Sequence, residues 1–321
     1  YGGLEDQWMT TILVNERLGY HAAMAASLYA TTLGFGGMSI LTYGSDYQKK
    51  KFIPMLINGD LRFSLALTEP SAGTDAAAIR TRAKKTTNGW VINGRKTWIS
   101  GADVADYLVT PVRTKPESEG ADGISIILIP GKTDGINMTK LEKVGNNCLT
   151  SWDIGFQDVF VDEKNLLGEE NKGFKNLMST LHYSRSSQAS NAIGQAQKAI
   201  EIIIDYVTER EQFGRSLSKF QTVRHRIADM QSRVDQARLI LYKLAWMIDQ
   251  GLRCRKEAAQ AKILASECLQ NVTHHGMQLM GSAGYSMDND MQRLWRDSRL
   301  YTFGEGANEI QREIVAKEIG L

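Results

Sequence analysis

The chain has 321 residues, enough for about two domains at ~150 residues each and for a sizeable core. With 42% hydrophobic and 23% charged residues and only 5 prolines, it is an ordinary folded chain, not a disordered, fibrous or low-complexity one. Lys plus Arg is 38 and Asp plus Glu is 36, a formal charge of +2. That provides no global field to gather nucleic acid or an anionic membrane. Three cysteines, Cys148, Cys254 and Cys268, form an odd set whose spacings match no zinc or CxxC pattern. They argue against a disulfide framework and for a reducing compartment. Apolar runs such as residues 124–129 fall far short of the ~20 residues of a membrane span, so none is expected. The opening YGGLEDQW has no initiator Met, basic n-region or apolar h-region, and the chain is expected to begin inside a larger protein.

Residues 8–43, rich in Ala, Leu and Met, read as helix punctuated by the glycines at 34, 36 and 37, and residues 46–56 read as a further helical turn or two. From Arg62 the period changes. Residues 63–67, 80–84, 90–93, 96–100, 107–112, 125–129 and 152–156 are short and strand-like. Asn93-Gly94, between two of them, predicts a type I′ hairpin turn. After Gly168 long helices take over. Apolar residues at 223, 227, 230, 234, 237, 241, 244 and 248 alternate by four and three and keep one helical stripe. Residues 193–207 and 261–279 repeat the pattern more loosely, and Gly281 and Gly284 are expected to stop the last of these helices. The order is a helical segment (1–61), a β domain (62–168) and a helical bundle (169–321), an α+β chain.

Several motifs stand out, and each also has a structural reading. TEPSAGTD, residues 68–75, puts hydroxyls and backbone N–H groups where a flat polar ring or a phosphate could sit, or is an ordinary turn. KTWIS, residues 96–100, sets Trp98 and Ser100 on one strand face and Ile99 on the other; a lone strand Trp is usually core. Arg210, Gln212 and Phe213 lie at a helix end broken by Gly214. Adjacent His274 and His275 cannot form the i, i+4 pair of a helical metal site. QLMGSAG, residues 278–284, reads as a helix stop. FGEGANEIQR, residues 303–312, places Glu305 between two glycines just ahead of a helix.

Taken in order, these motifs resemble the acyl-CoA dehydrogenase family of flavoproteins. The resemblance runs from YGG and GSDYQKKKFIPMLINGD to EGANEIQREIVAKE. It implies an N-terminal helical domain, a middle β-barrel-like domain and a C-terminal four-helix bundle. Because family members have further helices before the position of YGG, it also implies that this chain lacks the first of them, so that the N-terminal helical domain is partial. It puts the isoalloxazine of FAD against Leu65, Leu67 and Thr68, with Thr74, Trp98, Ile99 and Ser100 among its contacts; Ser100 stands where family members often carry Thr. The ADP half of FAD would be held by a neighbouring subunit through Arg210, Gln212, Phe213, Gln221, Gln278, Gly281 and Ser282, the last replacing a usual Gly. Ala307 and Glu309 match cofactor-touching positions. Thr74, His182, Tyr183, Ser184, Arg185 and Gly306 match positions that meet the acyl-CoA thioester, and Gly304 replaces an aromatic residue.

The implied chemistry is α,β-dehydrogenation of an acyl-CoA to the trans-2-enoyl-CoA. A carboxylate must remove the α-proton while an electron sink takes the β-hydride. Glu305 and FAD match these roles. Some family members carry the base on the bundle, at the position of Ser184, where this chain has no carboxylate. The resemblance further implies fatty-acid β-oxidation, an electron-transferring flavoprotein as acceptor, a homotetramer built as a dimer of dimers, no nucleic-acid partner, no membrane span, and a bacterial cytoplasmic or mitochondrial-matrix location. Alternatives are an enoyl-CoA reductase or acyl-CoA oxidase on the same fold, or a DNA-binding or partner-subunit relative without dehydrogenase activity. Retention of Glu305, Arg210 and Gln278 counts against the last.

Overall fold

The computed structural model describes residues 1–3 and 7–321; residues 4–6, within the opening motif, lie outside the described residues. The described chain forms two compact units, one of residues 28–143 and 147–184 with the N-terminus, the other of residues 7–27, 144–146 and 185–321.

The first helical stretch is α1 (Trp8–His21), α2 (Ala23–Thr31), a π-helical segment (Thr32–Gly37) and α3 (Met38–Tyr43). The break falls at Ala22, whose φ of −153° is extended, while the glycine cluster predicted as punctuation stays helical in the wider π form. Gly36 is required there by contact: a Cβ would lie 2.3 Å from the Phe63 ring. Residues 23–43 contain an 18-residue stretch of mean hydropathy 1.2, which by length and composition alone could cross a bilayer. Phe35 and Ile40 of this run are instead core residues, packed with Phe52, Phe63 and Leu128. α4 (Asp46–Ile57) opens on a capping box, with the Ser45 hydroxyl accepting from the Gln48 N–H.

The strands are β1 (Phe63–Leu65), β2 (Arg82–Lys85), β3 (Gly89–Ser100), β4 (Tyr107–Arg113), β5 (Ile124–Pro130), β6 (Ile136–Leu141), β7 (Ser151–Asp162) and β8 (Leu166–Leu167). They form one eight-stranded sheet in the order β6-β7-β3-β2-β4-β5-β8, with β1 parallel to β4. Asn93-Gly94 is not a hairpin turn. β3 runs straight through it, paired to β7 from Gly89 opposite Asp162 to Ser100 opposite Ser151. Between Ile92 and Gly94 the partner strand carries one extra residue, and Asp158 there takes a positive φ of 50°. Asn93 clamps this bulge, its Nδ2 donating to Asp158 Oδ1 at 2.8 Å and its Oδ1 accepting the Asp158 N–H at 2.9 Å.

α5 (Gly173–Glu209) leads to a two-strand hairpin, β9 (Glu211–Gln212) and β10 (Arg215–Ser216), then α6 (Gln221–Asp249), α7 (Arg255–Met280), α8 (Ser282–Tyr285), α9 (Asp290–Ser298) and α10 (Asn308–Glu318). The predicted α6 stripe is buried at Met230, Val234, Ala237, Leu241 and Leu244. α5 and α6 meet through Gln197 and Gln231, and Gly276 of α7 sits where a Cβ would strike Ile203 of α5 at 2.7 Å. α7 stops at Gly281, with φ of 58°, as expected, whereas Gly284 lies inside α8. Cys148, Cys254 and Cys268 are all free.

Candidate active site

In the bundle unit, the segment between α9 and α10 carries Glu305 in the left-handed region, φ 56°, followed by Gly306 at φ 93°. A non-glycine residue held there is strained, and strain of this kind collects at functional sites. The turn is fastened from below. Lys262 of α7, only 1% exposed, donates through Nζ to the Gly306 carbonyl at 2.9 Å and to Asn308 Oδ1 at 2.8 Å. Gln311 Nε2 donates to the same Gly306 carbonyl at 3.1 Å, and Asn308 Nδ2 donates to Ser266 Oγ at 3.0 Å. Ala307 is the N-cap of α10, and Glu309 is exposed in its first turn.

Two buried cations lie close enough to Glu305 to feel its charge. Burial pushes the Arg185 guanidinium down to about 10 and the Lys262 ammonium down to about 8, and in both the charge of Glu305 acts in the opposite direction. Arg185 Nε is buried with no hydrogen-bond partner, and a Cβ at Gly306 would lie 4.0 Å from its Nη2. Glu305, Gly306 and Arg185 are thus brought together, as the sequence led one to expect. Lys262, Asn308 and Gln311 were missed. Their signal was present: Lys262 shares a stripe with Ala258, Ala261, Ala265 and Leu269, all buried, where a lysine requires a partner.

Lys262→Met removes the donor to two buried oxygens and is expected to cost about 1–3 kcal/mol of stability, measurable by urea denaturation. The folded state releases the Lys262 proton near pH 8 and an unfolded lysine near 10.5. The unfolded chain therefore holds more protons between those values, and the wild type should gain stability relative to the variant as pH rises through that window. A flat difference across pH 8 to 10.5 would refute the assignment.

The other bundle-unit residues are at the surface. Arg210, Gln212 and Phe213 sit on or beside the β9–β10 hairpin, whose turn residues Phe213 and Gly214 have φ of 54° and 73°. Phe213 is 93% exposed. Gln221 opens α6, Gln278 lies in the last turn of α7, and Gly281 and Ser282 follow that helix; all are exposed.

In the β unit, Leu65, Leu67, Thr68 and Ser100 are half-buried neighbours, joined by Thr97 N–H to the Thr68 carbonyl at 2.8 Å and Ser64 Oγ to the Ser100 carbonyl at 2.6 Å. Trp98 is not core. An extra residue in β3 between Lys96 and Ile99 makes a bulge, Trp98 takes φ 60°, and its indole is 56% exposed. Ile99 packs in the sheet core, leaving only its backbone for any ligand. Thr74 is exposed in its turn. His182 and Tyr183 are half-buried with ring centroids 4.0 Å apart, and Ser184 is buried with its hydroxyl donating to the Leu181 carbonyl at 3.2 Å. Beneath this surface Lys96 and Glu69 form a buried ion pair, Nζ to Oε1 2.8 Å, that sequence reasoning did not find.

Models of the acyl-CoA dehydrogenase N-terminal, middle and C-terminal domains match residues 1–60, 64–159 and 171–320. The chain belongs to the acyl-CoA dehydrogenase family. A probable acyl-CoA dehydrogenase, YngJ, of Bacillus subtilis (strain 168) is 34% identical over 320 residues, covering 99% of this chain and 84% of that protein. The caffeyl-CoA reductase-Etf complex subunit CarC of Acetobacterium woodii is 35% identical, covering 98% of this chain and 83% of that protein. The structure of butyryl-CoA dehydrogenase from Megasphaera elsdenii superimposes with a TM-score of 0.95 at 33% identity, covering 98% of this chain and 82% of that one. Acyl-CoA dehydrogenases are FAD-dependent oxidoreductases acting on CH–CH groups. The residues here fit that cofactor: an exposed indole on a bulge, with half-buried leucines and hydroxyls in the same unit, suits a flat ring with polar edges. The exposed Arg210, Gln212, Gln221 and Gln278 carry donors of the kind that phosphates and polar groups take.

Proposed function

We propose that this acyl-CoA dehydrogenase oxidises a saturated acyl-CoA to the trans-2-enoyl-CoA, with Glu305 as the α-proton base. The observation that supports this most is the strained Glu305–Gly306 turn, fastened by Lys262 and close to Arg185. It displays one carboxylate close to two buried cations. FAD, held by Leu65, Leu67, Thr68, Trp98 and Ser100 and, from a neighbouring subunit, by Arg210, Gln212, Phe213, Gln221, Gln278 and Ser282, supplies the acceptor for the β-hydride. Glu305 receives the α-proton on its carboxylate oxygen. Backbone N–H groups of the Glu305–Gly306 turn steady the thioester oxygen as it gains charge. Electrons leave to an electron-transferring flavoprotein, a partner in keeping with the Etf complex named for CarC. Run in reverse, the same carboxylate delivers the proton, and the reductase relative makes enoyl-CoA reduction the second reading. Anaerobic bleaching of the flavin by a panel of acyl-CoAs, against reoxidation by enoyl-CoAs, tests both. A flavin inert to every member overturns the reading.

One chain carries both sets of cofactor residues, which supports a homo-oligomer, and the arrangement we propose for it is a homotetramer built as a dimer of dimers. Arg210→Ala is expected to reduce FAD retention several-fold and to weaken assembly, read by the absorbance of the purified protein and by size-exclusion chromatography. A variant that stays fully yellow as a monomer contradicts the shared site.

A further inference from the structure

Within the bundle unit, α6 and α7 flank a cavity of about 320 Å³ whose lining includes His225, Arg226, Asp229 and Arg233 of α6 and Asn271 and His275 of α7. Its volume is at the small end of the ~300–1,000 Å³ usual for small-molecule sites. The spacings put the α6 residues on one face of that helix and the α7 pair on one face of the other. Four of the six side chains are basic and one is acidic. Asp229 stands three residues after Arg226 and four before Arg233, spacings at which carboxylates and guanidiniums on a helix pair. Yet among the described residues none of the six side chains makes a hydrogen bond or an ion pair. Elsewhere in the same unit Arg238, Arg253, Arg293 and Arg312 each meet a carboxylate. His275 is half-buried, and burial together with the charges of Arg226, His274 and Arg233 holds its imidazole below its ordinary proton affinity. The cavity therefore gathers positive charge that no protein carboxylate pairs. No group of three or more His, Cys, Asp or Glu side chains among the described residues is placed to hold a metal ion, which leaves an anion as the ligand these donors suit.

We propose that this cavity binds the phosphoryl group of a small molecule, with Arg226 and Arg233 as its charged donors and Asn271 and His275 as further hydrogen-bond donors. A phosphate dianion presents at least three acceptor oxygens, enough to meet donors from two helices at once, and a guanidinium matches two of them in parallel. A carboxylate has only two oxygens and leaves part of the set unmet. None of the side chains assigned to FAD or to proton transfer lines the cavity, so the proposal does not depend on Glu305 being the base.

The test titrates the FAD-loaded full chain with inorganic phosphate, with ADP and with succinate by calorimetry, and repeats the titrations on Arg226→Gln and Arg233→Gln. The expected result is saturable binding of phosphate or ADP at one site per chain, with succinate much weaker. Each variant should lose about tenfold or more in affinity, the loss of one charge-assisted hydrogen bond, while its FAD content stays at the wild-type level. The rise in melting temperature that phosphate gives the wild type should shrink accordingly in the variants. ADP binding tighter than phosphate identifies a nucleotide as the source of the group, and equal affinities identify free phosphate; either supports the site. Absence of saturable binding by both, succinate binding as tightly as phosphate, or variants that bind as the wild type does overturns the proposal. Variants that shed FAD in step with their lost phosphate affinity also overturn it, because the cavity would then belong to the cofactor.

Discussion

Glu305→Gln should lower the rate of flavin reduction by acyl-CoA about 10²- to 10⁴-fold, the range for losing a general base. The substitution keeps the side chain's length and its hydrogen-bonding reach but removes the basic lone pair. The turn itself should persist, because the groups that hold it contact the backbone: Lys262 and Gln311 both donate to the Gly306 carbonyl. FAD content and the affinity for an enoyl-CoA should therefore remain near wild type. The buried cations respond to the lost charge. Glu305 raises the proton affinity of both Arg185 and Lys262, so neutralising it should let Lys262 titrate below its value of about 8. Rapid mixing of each protein with acyl-CoA under anaerobic conditions measures the effect. A solvated loop glutamate changed to glutamine would leave the rate within a few-fold, and that result would move the base elsewhere.

Lys96→Met should destabilise the β unit by about 3–5 kcal/mol, the cost of leaving one member of a buried ion pair uncompensated. Lys96 is fully buried, with Nζ 2.8 Å from Glu69 Oε1 and 3.0 Å from the Leu67 carbonyl. Burial pushes its ammonium down to about 8 against the pull of Glu69. Burial alone would raise the Glu69 carboxyl. The Lys96 ammonium, with bonds from Thr81 and Arg80, outweighs that and holds it below its ordinary value. Removing the ammonium leaves the carboxylate accepting the Arg80 and Thr81 N–H groups at 2.6 and 2.9 Å but otherwise uncompensated. The Leu67 carbonyl also loses its donor, which loosens the segment carrying Thr68 beside the Trp98 bulge, and FAD affinity should fall with stability. A cycle with Glu69→Gln separates the pair from its parts: the double variant should lose far less than the two single losses combined. Additive losses in urea denaturation would mean that the two charges do not interact.

The order of elements was legible in the sequence because it rests on local periodicity. The stripe from 223 to 248 buries the α6 face it predicted, and the change to alternating residues near Arg62 marks the sheet. The motif carrying Glu305 was legible because two glycines flank a carboxylate just before a helix, and the backbone there does adopt positive φ at Glu305 and Gly306. Asn93-Gly94 misled for a tertiary reason. Its turn propensity is real, but the long β7 strand pairs β3 on both sides of it, and the ladder bonds gained by continuing outweigh the local preference, leaving a bulge on β7 opposite Asn93. Trp98 misled similarly. Alternation assigns a strand residue to a face, and one extra residue in β3 shifts that assignment and turns the indole outward.

What the sequence alone determined was the order of helical and β segments, and where one carboxylate could be displayed. Only the tertiary structure decided which charges are buried with it. Arg185 was picked out by its motif and Lys262 could have been by its apolar stripe, but the nearness of both to Glu305 and the separate pairing of Lys96 with Glu69 are not written in the sequence. Burial is a property of the packed chain: a lysine is forced into partnership only when elements far apart in sequence close over it, as α7 and the turn before α10 do over Lys262.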